Sequence, residues 1–228
     1  MSSTDLEFLP EGPPEQLMVL LHGVGADAAH LAPLARVLRT HFPRAAVLVP
    51  QGFEPFDLAP SGRQWFSVAG VTEQNRPARV AAALPRLLDW LHAAQARLQA
   101  SQAATALVGF SQGSIMALEA IAREDGLAGR VLAFSGRYAS LPAQAPQLTT
   151  IHLLHGADDA VMPVELARQA FEHLADLPGG DVTLDIADGV GHELHAALVE
   201  QALHQLTHHI PLRTWQAALG SAPAGGVH

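Results

Sequence analysis

Short, unbroken apolar runs alternate along this chain with longer segments of helical periodicity. Six of the runs have the length of a strand: residues 17–21, 45–49, 105–110, 131–134, 151–154 and 182–186. Runs without polar alternation are typical of strands that are covered on both faces. The intervening segments repeat apolar residues at helical spacing, as at Val80, Leu84, Leu87 and Leu91. This alternation predicts an α/β fold with a mostly parallel central sheet and helices on both faces.

The length of 228 residues suits one α/β domain, which we expect to cover residues 1–219 without a large separate lid domain. The segment 220–228 is rich in Gly, Ala, Ser and Pro, which predicts a disordered tail. Residues 51–75 form the longest stretch without clear periodicity. A loop of that length inside a compact domain is usually functional, and we expect it to lie over the sheet.

Charge and cysteine content exclude several classes of protein. The net charge of -9 argues against binding to nucleic acid and against electrostatic docking on anionic lipid. The absence of cysteine excludes disulfides, cysteine-bound metal centres and a cysteine nucleophile. No apolar run reaches the roughly 20 residues that span a bilayer, so we expect no membrane insertion. The first residues lack the features of a signal peptide, and we expect a cytoplasmic protein.

The strongest chemical signal is the G-x-S-x-G segment Gly109–Gly113, which lies directly between an apolar run and a helical stripe. A serine at a tight strand-to-helix turn has a strained backbone and projects its hydroxyl above the sheet edge. The flanking glycines remove Cβ atoms that would clash there. This context predicts that Ser111 is a catalytic nucleophile rather than a chance match in a glycine-rich chain.

A serine nucleophile needs a base and an acid that orients the base. Candidate acids, Asp158 and Asp159, follow the predicted strand 151–154, and His192 follows the predicted strand 182–186. Because parallel strands end at one edge of a sheet, these groups are expected on the same rim as Ser111. Spacing alone does not choose between the two aspartates, and either one is also explained as a helix-capping loop carboxylate.

A glycine-rich loop, residues 21–25 (L-H-G-V-G), follows the first predicted strand. In a serine hydrolase of this kind, the main-chain amides of Val24 and Gln112 are the expected oxyanion donors. The same loop matches the dinucleotide fingerprint G-x-G-x-x-A over residues 23–28. That reading also requires an acid at the end of the next strand, where the chain has Val49-Pro50-Gln51 instead.

The histidines give little sign of a metal site. The segment His192–His195 is not H-E-x-x-H, and the pair His204 and His208 has no third ligand at suitable spacing. We therefore expect neither a metal ion nor another cofactor.

Taken together, the motifs of residues 21–25 and 109–113, H-G-x-x-D-x-V-M-P over residues 155–163, and Gly191-His192 resemble the phospholipase/carboxylesterase family of α/β-hydrolases. The resemblance runs from about Leu17 to about Ile210. The family includes the acyl-protein thioesterases and short bacterial carboxylesterases. The segments 62–67 and 75–80 resemble the bacterial carboxylesterases most.

This resemblance implies specific roles. Ser111 is the nucleophile, His192 the base and Asp159 the acid, while Val24 and Gln112 supply the oxyanion donors. Trp65, together with Phe66, falls on a family loop beside the acyl pocket. Met162 and Ser114 depart from the usual family residues.

The expected function is hydrolysis of small-molecule carboxylic esters or acyl-thioesters through an acyl-serine intermediate. Two alternatives remain at this point: a non-catalytic binding protein on the same fold, and a nucleotide-binding oxidoreductase. A homodimer is compatible with the sequence, which gives no indication of the oligomeric state.

Overall fold

Among the described residues, seven strands form the central sheet of this protein. The computed structural model describes residues 4–220, so most of the predicted tail, residues 221–228, lies outside the described residues. The strands of the sheet are β1 (Leu6–Phe8), β2 (Gln16–Leu21), β3 (Ala45–Val49), β6 (Thr105–Phe110), β7 (Arg130–Phe134), β8 (Thr150–Gly156) and β9 (Val182–Ala187). Their spatial order is β1-β3-β2-β6-β7-β8-β9, and only β1 is antiparallel to its neighbour. The predicted mostly parallel sheet is confirmed.

Helices cover both faces of the sheet, as the apolar stripes predicted. Those of the described residues are α1 (Ala32–His41), α2 (Arg76–Leu98), α3 (Gln112–Arg123), α4 (Glu165–Asp176), α5 (Ala196–His208) and α6 (Leu212–Gly220), with a 3-10 turn at Ala28–Leu31. One face packs against α2, α3 and α4, and the other against α1 and α5. Successive residues of β2 divide between the two cores, because side chains along a strand point alternately to opposite faces.

The segment that separates β3 from α2 is more ordered than its composition suggested. It contains a two-stranded hairpin, β4 (Glu54–Pro55) and β5 (Arg63–Gln64). The hairpin is bonded to the glycine-rich loop, because Arg63 accepts a hydrogen bond from the Gly25 amide and donates one to the Ala26 carbonyl. Gly62, with φ of +92°, makes this close approach possible, since a Cβ there would lie 2.2 Å from the Gly25 carbonyl oxygen.

Within the described range, no helix combines the length and apolar character needed to cross a membrane.

Candidate active site

The turn between β6 and α3 holds Ser111 in a strained conformation. Its φ of 53° lies in the left-handed region that non-glycine residues rarely adopt. Both flanking glycines are required by close packing. A Cβ on Gly109 would lie 2.5 Å from the Ser114 backbone, and one on Gly113 would lie 1.9 Å from the Leu21 carbonyl oxygen. The elbow is therefore pressed against β2, with the serine at its apex, as the sequence context predicted.

Three side chains from distant parts of the chain meet at this apex. His192 Nε2 lies 2.9 Å from Ser111 Oγ, and His192 Nδ1 lies 2.7 Å from Asp159 Oδ2. Because a carboxylate only accepts hydrogen bonds, the proton lies on Nδ1, which leaves Nε2 free to accept the serine hydroxyl proton. The Phe110 ring packs against the imidazole at a centroid distance of 5.0 Å. Geometrically, this arrangement can take a proton from the serine as it attacks a carbonyl carbon.

The structure distinguishes between the two candidate acids. Asp159 is buried and faces His192, whereas Asp158 is exposed. Burial raises the pKa of the Asp159 carboxyl, but hydrogen bonds from the Met162 amide, His192 and the Val161 amide outweigh burial and hold it below its ordinary value. Asp159 is therefore ionised near neutral pH, the state in which it stabilises an imidazolium.

The glycine-rich loop lies beside the serine. A Cβ built on Gly23 would be 3.4 Å from the Ser111 Cβ. Gln112 is the first residue of α3, so its amide has no acceptor within the helix. Among residues 4–220, the Val24 amide donates to no protein acceptor. A 3-10 turn, Ala28–Leu31, separates this loop from α1, whereas in a dinucleotide site the α-helix begins at the loop itself. The loop lies against the serine turn instead.

His22 has a role that sequence reasoning did not assign. It is fully buried, and its Nε2 accepts a hydrogen bond from the Gly52 amide at 2.8 Å. Nδ1 therefore carries the proton and donates to the Gly23 carbonyl, also at 2.8 Å. That carbonyl shares a planar peptide group with the Val24 amide, so His22 fixes the direction of the Val24 N–H. Burial lowers the pKa of His22, which keeps the ring neutral.

The side chain of Gln112 was also missed. Its oxygen accepts from the Trp65 amide and its nitrogen donates to the Phe66 carbonyl, both at 2.8 Å. The Trp65 indole donates to the His22 carbonyl at 2.8 Å. The side chains of Trp65 and Phe66 are buried, with 1% and 4% exposed. Their predicted contact with a substrate stays a prediction. In this structure, Trp65 and Phe66 are hydrogen-bonded to the residues next to Ser111 and next to Gly23.

A second buried histidine supports the acid. His155 Nε2 lies 2.7 Å from the Met162 carbonyl oxygen and 3.5 Å from Asp159 Oδ2, so it fastens the turn that carries the carboxylate. The H-G-x-x-D spacing was the available signal for this contact. His204 and His208 stack on each other on the exposed side of α5. Within the described residues, no group of three His, Asp or Glu side chains is placed to hold a metal ion.

Comparison with known proteins identifies the family of this chain. The chain matches the model of the phospholipase/carboxylesterase family over residues 8–210. It is 44% identical over 216 residues to the esterase YpfH of Escherichia coli strain K12, covering 95% of this chain and 92% of that protein.

Solved structures show the same fold. The crystal structure of the esterase PE8 superposes with a TM-score of 0.82 at 30% identity, covering 89% of this chain and 97% of the other. The acyl-protein thioesterase 2 of Zea mays has a TM-score of 0.70 at 18% identity over 90% of this chain and 98% of its own, which supports the fold alone. By its sequence and its architecture, this chain belongs to the phospholipase/carboxylesterase family of α/β-hydrolases.

Proposed function

We propose that this protein is a serine esterase that hydrolyses carboxylic esters or thioesters through an acyl-Ser111 intermediate. The observation that carries the proposal is the continuous hydrogen-bonded chain from Ser111 through His192 to Asp159, with distances of 2.9 Å and 2.7 Å. Membership in a family of carboxylic ester hydrolases supports the reaction class. The name of the Escherichia coli relative favours an ester over a thioester as the substrate.

In the first half-reaction, the Ser111 oxygen attacks the carbonyl carbon while His192 Nε2 takes the hydroxyl proton. The tetrahedral intermediate places its negative charge on the former carbonyl oxygen, toward the amides of Val24 and Gln112. Fixed donors stabilise this charge, and loss of one such donor costs about 3 kcal/mol. Asp159 stabilises the imidazolium that forms. The imidazolium then protonates the departing alcohol or thiol, which leaves an acyl-serine.

In the second half-reaction, water replaces the alcohol. Nε2 removes a proton from the water as it attacks the acyl-serine carbonyl, and the same imidazolium returns a proton to Ser111 when the acid leaves. No further group is required for either step, because the protein supplies the nucleophile, the base and the oxyanion donors.

The test compares the wild-type protein with Ser111→Ala. Wild type is expected to hydrolyse p-nitrophenyl butyrate and to be labelled by a fluorophosphonate probe. The variant is expected to lose at least about a thousandfold in kcat and all labelling, because the other groups alone retain little catalysis. A wild-type protein that is folded but neither turns over the ester nor takes the label would instead be a binding protein on this fold. Butyrylthiocholine in parallel measures the preference between ester and thioester.

A further inference from the structure

A polar cleft adjoins the candidate active site on the rim of the sheet. Its volume is about 590 Å³, and its walls include Arg76, Arg137, Glu73 and the exposed Val161. The protein as a whole carries a net charge of -9 and contains no lysine, so a cleft lined by two arginine side chains is unusual in this chain. The reaction proposed above does not use either of them.

Each side of the cleft is connected to the Ser–His–Asp group through a main-chain hydrogen bond. On one side, the Met162 amide donates to Asp159 Oδ1 at 2.7 Å, and Met162 lines the cleft. On the other side, the Ser111 amide donates to the carbonyl of Phe134, the last residue of β7. Arg137 lies three residues further along, which limits its Cα to about 11 Å from that of Phe134. Through Met162, the cleft therefore adjoins the turn that carries the Asp159 carboxylate.

The two guanidinium groups converge on one carboxylate. Arg137 contacts Glu73 in a two-pronged geometry, with Nη1 to Oε1 at 3.1 Å and Nη2 to Oε2 at 2.8 Å. Arg76 Nη1 approaches the same Oε1 at 2.5 Å. This is the arrangement in which arginine binds carboxylates most strongly. The hydrogen bond from Arg76 holds the pKa of the Glu73 carboxyl below its ordinary value, and Arg137 acts in the same direction.

The positive potential at this point has a second source. Arg76 is the first residue of α2, a helix of 23 residues with no acidic residue in its first turn. A helix N-terminus carries a partial positive charge and favours a nearby anion. The guanidinium group of Arg76 adds to this positive potential. The other acid of the cleft is Glu165, which is exposed at the start of α4.

Glu73 is the most exposed member of this arrangement. Its side chain is 60% exposed, whereas those of Arg76 and Arg137 are 17% and 16% exposed. Arg137 Nε also donates to the Tyr138 carbonyl at 3.0 Å, which holds the guanidinium in position independently of Glu73. Exchanging Glu73 for another carboxylate therefore leaves Arg137 in place.

We propose that Arg76 and Arg137 form a subsite for a carboxylate of the substrate, which replaces Glu73, so that the preferred substrates are esters carrying a second, anionic group. This inference rests on the proposed esterase function and specifies its substrate class. An arginine pair that binds a remote carboxylate positions the ester carbonyl at Ser111 and so lowers KM or raises kcat for the charged ester.

The experiment compares kcat/KM for a charged ester and its neutral counterpart. Monoethyl adipate and diethyl adipate place the charge on the acid side of the ester bond. Butyryloxyhexanoate and its ethyl ester place it on the alcohol side, so the pair with the larger preference identifies which part of the substrate enters the cleft. The quantity measured is the ratio of charged to neutral kcat/KM.

Four variants separate a subsite from a structural ion pair. Arg137→Gln is expected to lower the ratio about tenfold, the value of a charge-assisted contact, and Arg76→Gln provides a second reading if the first variant folds poorly. Glu73→Gln removes the competing carboxylate and is expected to raise the ratio severalfold. Arg168→Gln is the control, because it removes one positive charge at an exposed position of α4 that does not line the cleft. It is expected to leave the ratio unchanged.

The opposite signs are decisive. Arg137→Gln and Glu73→Gln break the same ion pair, so a purely structural contact predicts that both shift the ratio in the same direction or not at all, and either result would overturn the subsite. Hydrolysis of p-nitrophenyl butyrate without any preference for the charged esters would also overturn it, while leaving the esterase function intact. Failure of the esterase function shows separately, as a folded wild-type protein without turnover of p-nitrophenyl butyrate or as turnover that persists in Ser111→Ala.

Discussion

The side-chain oxygen of Gln112 accepts a hydrogen bond from the main-chain amide of Trp65 at 2.8 Å, across 47 positions of sequence. The residue after the serine thus has two tasks. Its backbone begins α3 beside Ser111, and its side chain fastens the loop between the hairpin and α2. Because both contacts are buried, neither amide nor carbonyl of that loop has water as an alternative partner. The position of the loop and the shape of the serine turn are therefore coupled.

Replacing Gln112 with leucine is expected to destabilise the protein. The Trp65 amide and the Phe66 carbonyl lose their partners while they remain buried, and each unpaired group costs about 1–3 kcal/mol. We expect the free energy of unfolding in urea to fall by about 2–4 kcal/mol. Gln102→Leu, at an exposed position, is the matched control. A Gln112→Leu protein as stable as this control would show that the side chain does not anchor the loop.

Asp159→Asn is expected to reduce kcat for p-nitrophenyl butyrate by up to about 10⁴-fold, because an amide donor favours the wrong tautomer of His192 and removes the stabilising charge. The buried amide retains the shape of the carboxylate, so circular dichroism is expected to match wild type. Asp158→Asn, one position away and exposed, is the control and should lose little activity. An equal loss in the two variants would contradict the assignment of Asp159.

Gly113→Ala tests the packing of the serine turn. Its new methyl group would lie 1.9 Å from the carbonyl oxygen of Leu21, a backbone atom of the buried strand β2. We expect a loss of more than about 3 kcal/mol in stability, or little soluble protein. At Gly191 the nearest such atom is 3.9 Å away, so Gly191→Ala is expected to leave the thermal midpoint near that of wild type. Equal midpoints for the two variants would refute the close packing.

The buried ring of His152 predicts a loss of stability in mild acid. Burial, aided by the nearby Arg130, lowers its pKa from 6.5 to about 3. Between these values the unfolded chain binds a proton that the folded protein does not, so the free energy of unfolding falls as the pH decreases below 6.5. From this residue alone, the loss between pH 7 and pH 5 is about 2 kcal/mol.

Urea unfolding at the two pH values measures this effect. His152→Gln, which keeps a donor for Thr183, is expected to reduce the pH-dependent loss by about 2 kcal/mol. His204→Gln, at an exposed position, should leave it unchanged. Since Asp159 and other carboxyls with lowered pKa values act only below their ordinary values, they do not obscure this range. An unaltered pH dependence in His152→Gln would rule out the buried ring as its source.

The features that sequence reasoning missed have physical explanations. The strands β4 and β5 contain two residues each, which is too short for any periodicity to show. Strand β1, Leu6–Phe8, has the same limitation and alternates in exposure at the edge of the sheet. The helix Ala32–His41 has only ten residues and begins with Pro at its second position, so its apolar stripe is short.

What the sequence determined by itself was local. Unbroken apolar runs and helical stripes predicted the layers, and a serine between two glycines at a strand end predicted a strained turn, because these properties depend on neighbouring residues. The tertiary structure decided which groups meet. Ser111 and His192 are 81 positions apart, and only the shared edge of a parallel sheet brings them within hydrogen-bond distance. The choice of Asp159 as the partner of His192, the anchoring by Gln112 and the convergence of Arg76 and Arg137 depend on side-chain directions that spacing along a chain does not specify.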